Sequence, residues 1–366
     1  MTTVADVVAA VDRLAPFEGA EPWDNVGLLL GDAAAPARRI LVCLDVGEAV
    51  CQEADRIGAD VVLAHHPLLF KEFRRLTSET RAGRLALRLA TSGRACIAAH
   101  TNLDAAPGGL CDQLAWKVGL AQVGPLASEG RERRHKVVVF VPEGDLAAVQ
   151  AAAFEAGAGC IGRYSECSFA AAGTGTFHPG EGAAPAAGAR GTRSGVAEYR
   201  LEFIADRPRL GAILAAVARA HSYEEPAIDV YVLEPGPATA GVGRVGRLKK
   251  AKTAAEFAEV VKGALGRQAV EVAGRRDRRI ERVALVTGSG SGLVESVLAA
   301  NVDCYLTGEL KFHEVQELEA AGVAVILGGH YETERVPLDA WTPRLAETVD
   351  AEVVLSESER SVLSVG

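Results

Sequence analysis

Three short apolar runs in this chain end abruptly in side chains of the kinds that can ligate metal ions. Val61-Val-Leu-Ala64 runs into His65-His66-Pro67. Ile97-Ala-Ala99 runs into His100-Thr-Asn-Leu-Asp104, and Val323 to Leu327 runs into Gly328-Gly-His330-Tyr-Glu-Thr-Glu334. Runs of this length and β-branched content read as buried strands. In open α/β sheets the functional crevice lies beyond the carboxyl ends of the strands. Three separate strands therefore deliver imidazoles and carboxylates to one edge. Further runs bring Asp45, and Thr307, Gly308, Glu309 and His313, to the same edge.

The elements between these runs set the fold class. Ile40 to Leu44, Val61 to Ala64 and Cys96 to Ala99 read as strands, with helices over Glu48 to Ile57 and Arg81 to Thr91. From about residue 280 the style repeats. Strands are expected at Val283 to Thr287, Cys304 to Thr307 and Val323 to Leu327, and helices at Gly292 to Ala300 and His313 to Ala321. Such alternation predicts an α/β fold with a parallel-rich sheet flanked by helices.

The middle of the chain reads differently. Strands are expected at Lys136 to Val141, Ser165 to Phe169, Val196 to Ile204 and Ala227 to Leu233, with helices at Asp145 to Ala156 and Leu210 to Ala220. Two successive β-α-β units predict a small ferredoxin-like α+β insert. Gly173 to Gly195 is rich in Gly, Ala and Pro and reads as irregular. Its segment Gly173-Thr-Gly-Thr-Phe177 reads as a turn, with an anion-binding loop as the alternative. Pro235, Gly236 and Pro237 mark the exit. The division expected is a discontinuous metal-binding domain, 1–125 with 236–366, interrupted by an inserted domain, 126–235. A length of 366 residues suits two domains.

Composition narrows the partners. The net charge of −9 opposes nucleic acid as a main partner, because neutralising phosphates needs a basic surface. The basic clusters Arg244 to Lys252 and Arg275 to Arg279 read as solvated faces or loops. No apolar run approaches the ~20 residues of a membrane span. Val4, Val7, Val8, Val11 and Leu14 fall at helical spacing beside Asp6 and Asp12, as in an amphipathic helix rather than a signal peptide. Seven cysteines form no CxxC. Cys43, Cys96 and Cys304 sit within strand-like runs and read as buried free thiols in a reducing, cytoplasmic setting.

The donor set predicts chemistry. Of eight histidines, His65, His66, His100, His313 and His330 all follow predicted strands. A lone histidine of this kind is usually structural; five at one edge, with Asp104 and Glu334, point to metal. Pro67 turns the chain, so the adjacent His65 and His66 can serve different ions. His330 and Glu334, four residues apart, share a helical face. A carboxylate such as Asp104 or Glu334 can bridge two cations about 3.5–4 Å apart. Mixed imidazole and carboxylate donors suit Zn, Fe, Mn, Co or Ni better than Ca or Mg.

Several segments resemble the Nif-three-like dinuclear-metal family, whose members often carry the name GTP cyclohydrolase I type 2 homologue. They are Glu21-Pro-Trp-Asp-Asn-Val-Gly27, His65-His66-Pro67, His100-Thr-Asn-Leu-Asp104, Thr307-Gly308 with His313, and Gly329-His330-Tyr331 with Glu334. Gly157-Ala-Gly-Cys-Ile-Gly-Arg-Tyr-Ser-Glu-Cys-Ser-Phe169 and His221-Ser-Tyr-Glu-Glu-Pro-Ala227 resemble the insert of its longer bacterial members. Two positions depart from the pattern: Ser222 stands where proline is usual, and Glu309 where aspartate is usual. The resemblance implies a toroidal homohexamer, a PII- or CutA-like insert, and two divalent metal ions per chain on His65, His66, Asp104, His330 and Glu334. It implies a nearby polar role for His100.

Two functions compete at this stage. In a metal-dependent hydrolase of the cyclohydrolase kind, paired cations acidify water for attack on an electrophilic carbon of a purine-type nucleotide or other small molecule. His100 or His313 would then carry protons. The alternative is a non-catalytic protein that stores or delivers metal, with the insert sensing a small ligand. A nucleic-acid clamp is disfavoured by charge.

Overall fold

The computed structural model describes residues 2–71, 74–127, 134–161, 164–233 and 240–363. By internal packing the chain divides into two compact units, Met1–Ser128 with Ala238–Gly366, and Glu129–Pro237. The expected exit signal Pro235 to Pro237 lies outside the described residues. No helix among those described is long and apolar enough to cross a membrane.

The first unit holds two mixed sheets. One runs in the order β1 (Gly27–Leu30), β4 (Ala95–Ala98), β3 (Val61–Ala64), β2 (Arg39–Cys43), β15 (Glu352–Leu355). Strands β4, β3, β2 and β15 are parallel, and β1 adds antiparallel at the edge. The other runs β11 (Glu271–Ala273), β14 (Ala324–Leu327), β13 (Cys304–Thr307), β12 (Arg279–Leu285), β10 (Val242–Thr253), β5 (Leu120–Ala127). Its central β12, β13 and β14 are parallel; the outer pairs are antiparallel. The α/β, parallel-rich character follows from the sequence. β3, β4 and β13 are buried at every position, as expected of parallel strands covered on both faces.

Local signals place the helices. Thr3 and Asp6 form a reciprocal capping box on the helix Val4–Leu14. Its Val4, Val7 and Val11 pack into a core with Ile40, Leu63 and Trp341. Helices Glu48–Ile57 and Arg81–Thr91 fall on the expected residues. Gly58 at φ 65° ends the first, a left-handed cap that costs glycine little. Cys43, Cys96 and Cys304 are buried free thiols, as read; Cys160 and Cys167 are half-buried.

The basic segment Arg244 to Lys252 is a strand rather than a loop, with Arg247, Lys249 and Lys250 exposed as expected of a solvated face but Arg244 buried. It forms most of β10, and Arg244 is 1% exposed. Its guanidinium pairs with Asp112 (Nε to Oδ1 2.6 Å, Nη2 to Oδ2 3.1 Å) and donates to the carbonyls of Ala105 and Ala106 at 3.2 and 2.8 Å. A buried cation is tolerable when its donors are satisfied in this way.

The second unit has the element order β-α-β-β-α-β, which defines a split β-α-β motif. Strands β6 (His135–Pro142), β7 (Ser168–Phe177), β8 (Ser194–Ala205) and β9 (Ile228–Val232) form an antiparallel sheet in the order β7-β8-β6-β9. Helices Leu146–Glu155 and Arg207–Ala220 pack against it. Gly173 to Phe177 is neither turn nor anion loop. It continues β7, paired residue by residue with β8 from Glu198 back to Ser194. Composition misled because the long partner strand, not local propensity, supplies this pairing. Ser222 donates its N–H to Asp145 at 3.0 Å, a bond that a proline there could not make.

Candidate metal centre

The histidines and acidic side chains of the cluster follow the ends of parallel strands, except Asp24, which precedes the antiparallel edge strand β1. His65 and His66 follow β3; His100 follows β4 and opens the short helix Thr101–Ala105 that carries Asp104. On the other sheet, Thr287 and Gly288 follow β12, Glu309 follows β13, and the helix His330–Ala346 starts beyond β14. The carboxyl ends of both sheets thus face one cluster. Glycine is required at its centre. A Cβ on Gly288, at φ +60°, would overlap Glu334 Oε1 and come within 3.2 Å of His330 Nε2.

Four imidazoles are tethered in the same sense. Nδ1 of His65 bonds the carbonyl of Ala99 at 2.9 Å, that of His66 bonds Asp45 at 3.1 Å, that of His100 bonds Asp24 at 2.9 Å, and that of His330 bonds Glu309 at 3.2 Å. Such partners fix ring orientation and leave Nε2 for a metal. Nε2 of His66 lies 3.1 Å from Glu334 Oε2, and Nε2 of His330 lies 3.2 Å from Glu334 Oε1. Nε2 of His65 is 3.6 Å from Asp104 Oδ2 and 3.9 Å from Glu334 Oε1. Thr287 donates to the other Asp104 oxygen at 2.6 Å.

Two overlapping donor groups result. His65, His66 and His100 each place a ring nitrogen within 4.8 Å of the others, and His66, His330 and Glu334 do the same with their donor atoms. His100 is therefore closer to the cluster than a peripheral residue; its ring centroid is 5.1 Å from that of His65. His313 is exposed on the first turn of Phe312–Ala320 and belongs to neither group. Asp24 is the functional residue that sequence reading left without a role. Its signal was its place in Glu21 to Gly27, but only the fold puts it against His100.

Electrostatics matches a cation site. Burial depresses the pKa of His65 to about 3, so its Nε2 keeps a free lone pair. Burial opposes protonation of His66 as well, but Asp45 and Glu334 overcome it and lift that imidazole to about 10. Glu334, helped by Glu309, raises His330 to about 9. Burial and the nearby Glu334 charge push Asp104 up to about 7. Glu334 itself is held well below the usual carboxylate range, against its burial, by His330 and His66. Protons on His66 and His330 thus occupy places that a metal would take.

The residues present fit such an ion. His65 Nε2 is a buried polar atom without a hydrogen-bond partner among the described residues, and the buried Glu334 Oε2 faces the His66 imidazole Nε2 at 3.1 Å. A buried atom left without a partner is costly, and a cation shared with Glu334 would satisfy it.

The family model described as Duf34/NIF3 (NGG1p interacting factor 3) matches residues 2–361. The chain belongs to the DUF34/NIF3 family. Relatives of this DUF34/NIF3 chain include the Mycobacterium tuberculosis protein named GTP cyclohydrolase 1 type 2 homolog. It is 40% identical over 337 residues, 90% of this chain and 88% of that protein. The Bacillus subtilis protein of the same name is 36% identical over 339 residues, 93% and 91% of the two chains. Among solved structures, a Bacillus cereus protein related to NIF3 superposes with TM-score 0.70 at 32% identity, covering 100% of this chain and 99% of that one. A Staphylococcus aureus protein gives TM-score 0.75 at 25% identity, with the same coverage.

Proposed function

We propose that this DUF34/NIF3 chain is a hydrolase that works with two divalent cations held by His65, His66, Asp104, His330 and Glu334. One observation carries the reading: four imidazoles are tethered through Nδ1 around the buried Glu334 carboxylate, and the buried Nε2 of His65 among them has no hydrogen-bond partner among the described residues. His66, His330 and Glu334 form one donor group, and His65 and Asp104, with Nε2 and Oδ2 3.6 Å apart, offer donors for a second ion beside it. The donor set favours Zn, Fe, Mn, Co or Ni. Bound there, such cations supply Lewis acidity and a source of activated water at neutral pH.

The chain's own groups complete the chemistry. Asp104 and Glu334 provide the negative charge that retains the cations. Asp24 accepts from His100 Nδ1 at 2.9 Å, which orients its ring to move a proton at Nε2. The name shared by the curated relatives supports a nucleotide-like substrate, with ring opening at an electrophilic carbon of the base.

The test is metal content by elemental analysis together with a nucleotide and phosphoester screen in Mn or Zn. Two ions per chain and turnover abolished by chelator would support the proposal. Two ions with no turnover of any substrate would favour metal storage or delivery, and absence of bound metal would sink both. Light scattering at six chains per particle would support the ring assembly that the resemblance implies.

A further inference from the structure

The second unit contains a cavity of about 520 Å³, within the size range of small-molecule pockets. It lies wholly inside that unit, between the β7–β8 hairpin and the His221 to Ala227 segment. Its walls include Phe140, Phe177 and Tyr223, and three carboxylates, Glu198, Glu224 and Glu225, line it. Among the described residues neither lysine nor arginine does; His178, which is exposed, also lies on the wall.

This pocket is built rather than incidental. Glu198 is 8% exposed although it is charged. Tyr223 donates its hydroxyl to Glu198 Oε1 at 2.8 Å, and Oε2 has no hydrogen-bond partner among the described residues. A Cβ at Gly175 would overlap that same Oε2, so the glycine makes room for the Glu198 carboxylate in the wall. His221 holds the wall in place: Nε2 donates to the Phe140 carbonyl at 2.9 Å, and Nδ1 accepts from the Tyr223 N–H at 3.0 Å. These two bonds fix the orientation of the ring. Glu224 accepts from the Ala184 N–H at 2.8 Å, which draws the β7–β8 loop across the pocket. Burial, then Glu198, raises the Tyr223 phenol to about 12, so it remains a donor.

We infer that this cavity is a binding site for an organic cation, an amine or amidine carried on a flat apolar body. A carboxylate oxygen that opens on the cavity and bonds no protein group among the described residues is suited to a charged donor. Aromatic walls add attraction for a cation over their faces. The same carboxylates repel phosphates, so a nucleotide is excluded as the occupant. The site shares no residue with the metal centre, and it stands whether or not the chain is a hydrolase.

The experiment is calorimetric titration of the full metal-loaded chain with benzamidine, its neutral isostere benzamide, and ATP. Saturable benzamidine binding is expected, with benzamide weaker by roughly tenfold or more, the factor that about 1.4 kcal/mol represents. ATP should neither bind this site nor displace benzamidine. Glu198→Gln keeps an acceptor for Tyr223 but removes the charge; it should weaken benzamidine by a similar factor and leave metal content unchanged. Equal affinity for benzamide, displacement by ATP, or no benzamidine binding by the wild type would overturn the assignment. The isostere comparison uses the wild type alone, so it decides the matter even if the variant fails to fold.

Discussion

His66 and Glu334 meet between the two sheets of the larger unit, with Nε2 of the imidazole 3.1 Å from Oε2 of the carboxylate. One follows the end of β3, and the other lies in the first turns of the helix after β14. Neither half of the chain can assemble the centre alone. His66→Ala or Glu334→Ala should each lose at least one bound ion while the circular dichroism of the fold persists. Elemental analysis that still finds two ions in both variants would remove these ligand assignments.

His100 and Asp24 form a second coupled pair. Hydrogen bonds from His100 and Thr101 outweigh burial and hold the Asp24 carboxyl at about 2, so it stays ionised and keeps the ring oriented. His100→Ala should lower single-turnover rate at saturating metal by about 10²–10⁴-fold. Asp24→Asn should chiefly weaken metal binding or turnover by about 10–100-fold, the usual worth of an orienting partner. Unchanged rate in His100→Ala across pH 5 to 9 would show that it carries no proton in the reaction.

Arg244 joins β10 to the backbone just past Asp104. Arg244→Met leaves Asp112 buried without its cation and the carbonyls of Ala105 and Ala106 without their donor. A loss of about 3–5 kcal/mol is expected, read as a shift in denaturation midpoint with unchanged m-value. Asp112→Asn combined with Arg244→Met should recover part of that loss, because no lone charge then stays buried.

Glu53 clamps the C-terminal segment. It accepts from Ser356 Oγ at 2.6 Å, Ser358 Oγ at 2.7 Å and the Glu357 and Ser358 N–H groups at 3.2 Å. Burial raises its pKa, but these bonds outweigh burial and set it below the ordinary 4.5. The stabilisation is therefore present above pH 4.5 and is lost as pH falls through the lower folded value. Glu359, whose pKa burial raises, acts in the opposite sense. The readout is amide hydrogen exchange of 356–359 in wild type against Glu53→Gln. Protection in the wild type should fall in acid, whereas Glu53→Gln should lack this component; the same acid loss in both would exclude Glu53 as its cause.

Much of this protein is legible one segment at a time. β3 and the helix Glu48–Ile57 lie where apolar content and spacing put them, because continuous apolar runs and caps act locally. His65, His66, His100, His313, His330, Asp104 and Glu334 could be grouped because each follows a strand and strand ends share an edge; the five expected ligands among them came from the family resemblance. What no local pattern carries is partnership between distant segments. Gly173 to Phe177 is a strand only because β8 lies beside it, and Arg244 is buried only because Asp112 and four backbone carbonyls receive it. Asp24 orients His100 only once β1 pairs with β4. His313 shares the sequence signature of the other histidines, yet its helix leaves it exposed. Side-chain direction and burial depend on packing across the chain, and packing is a property of the whole fold.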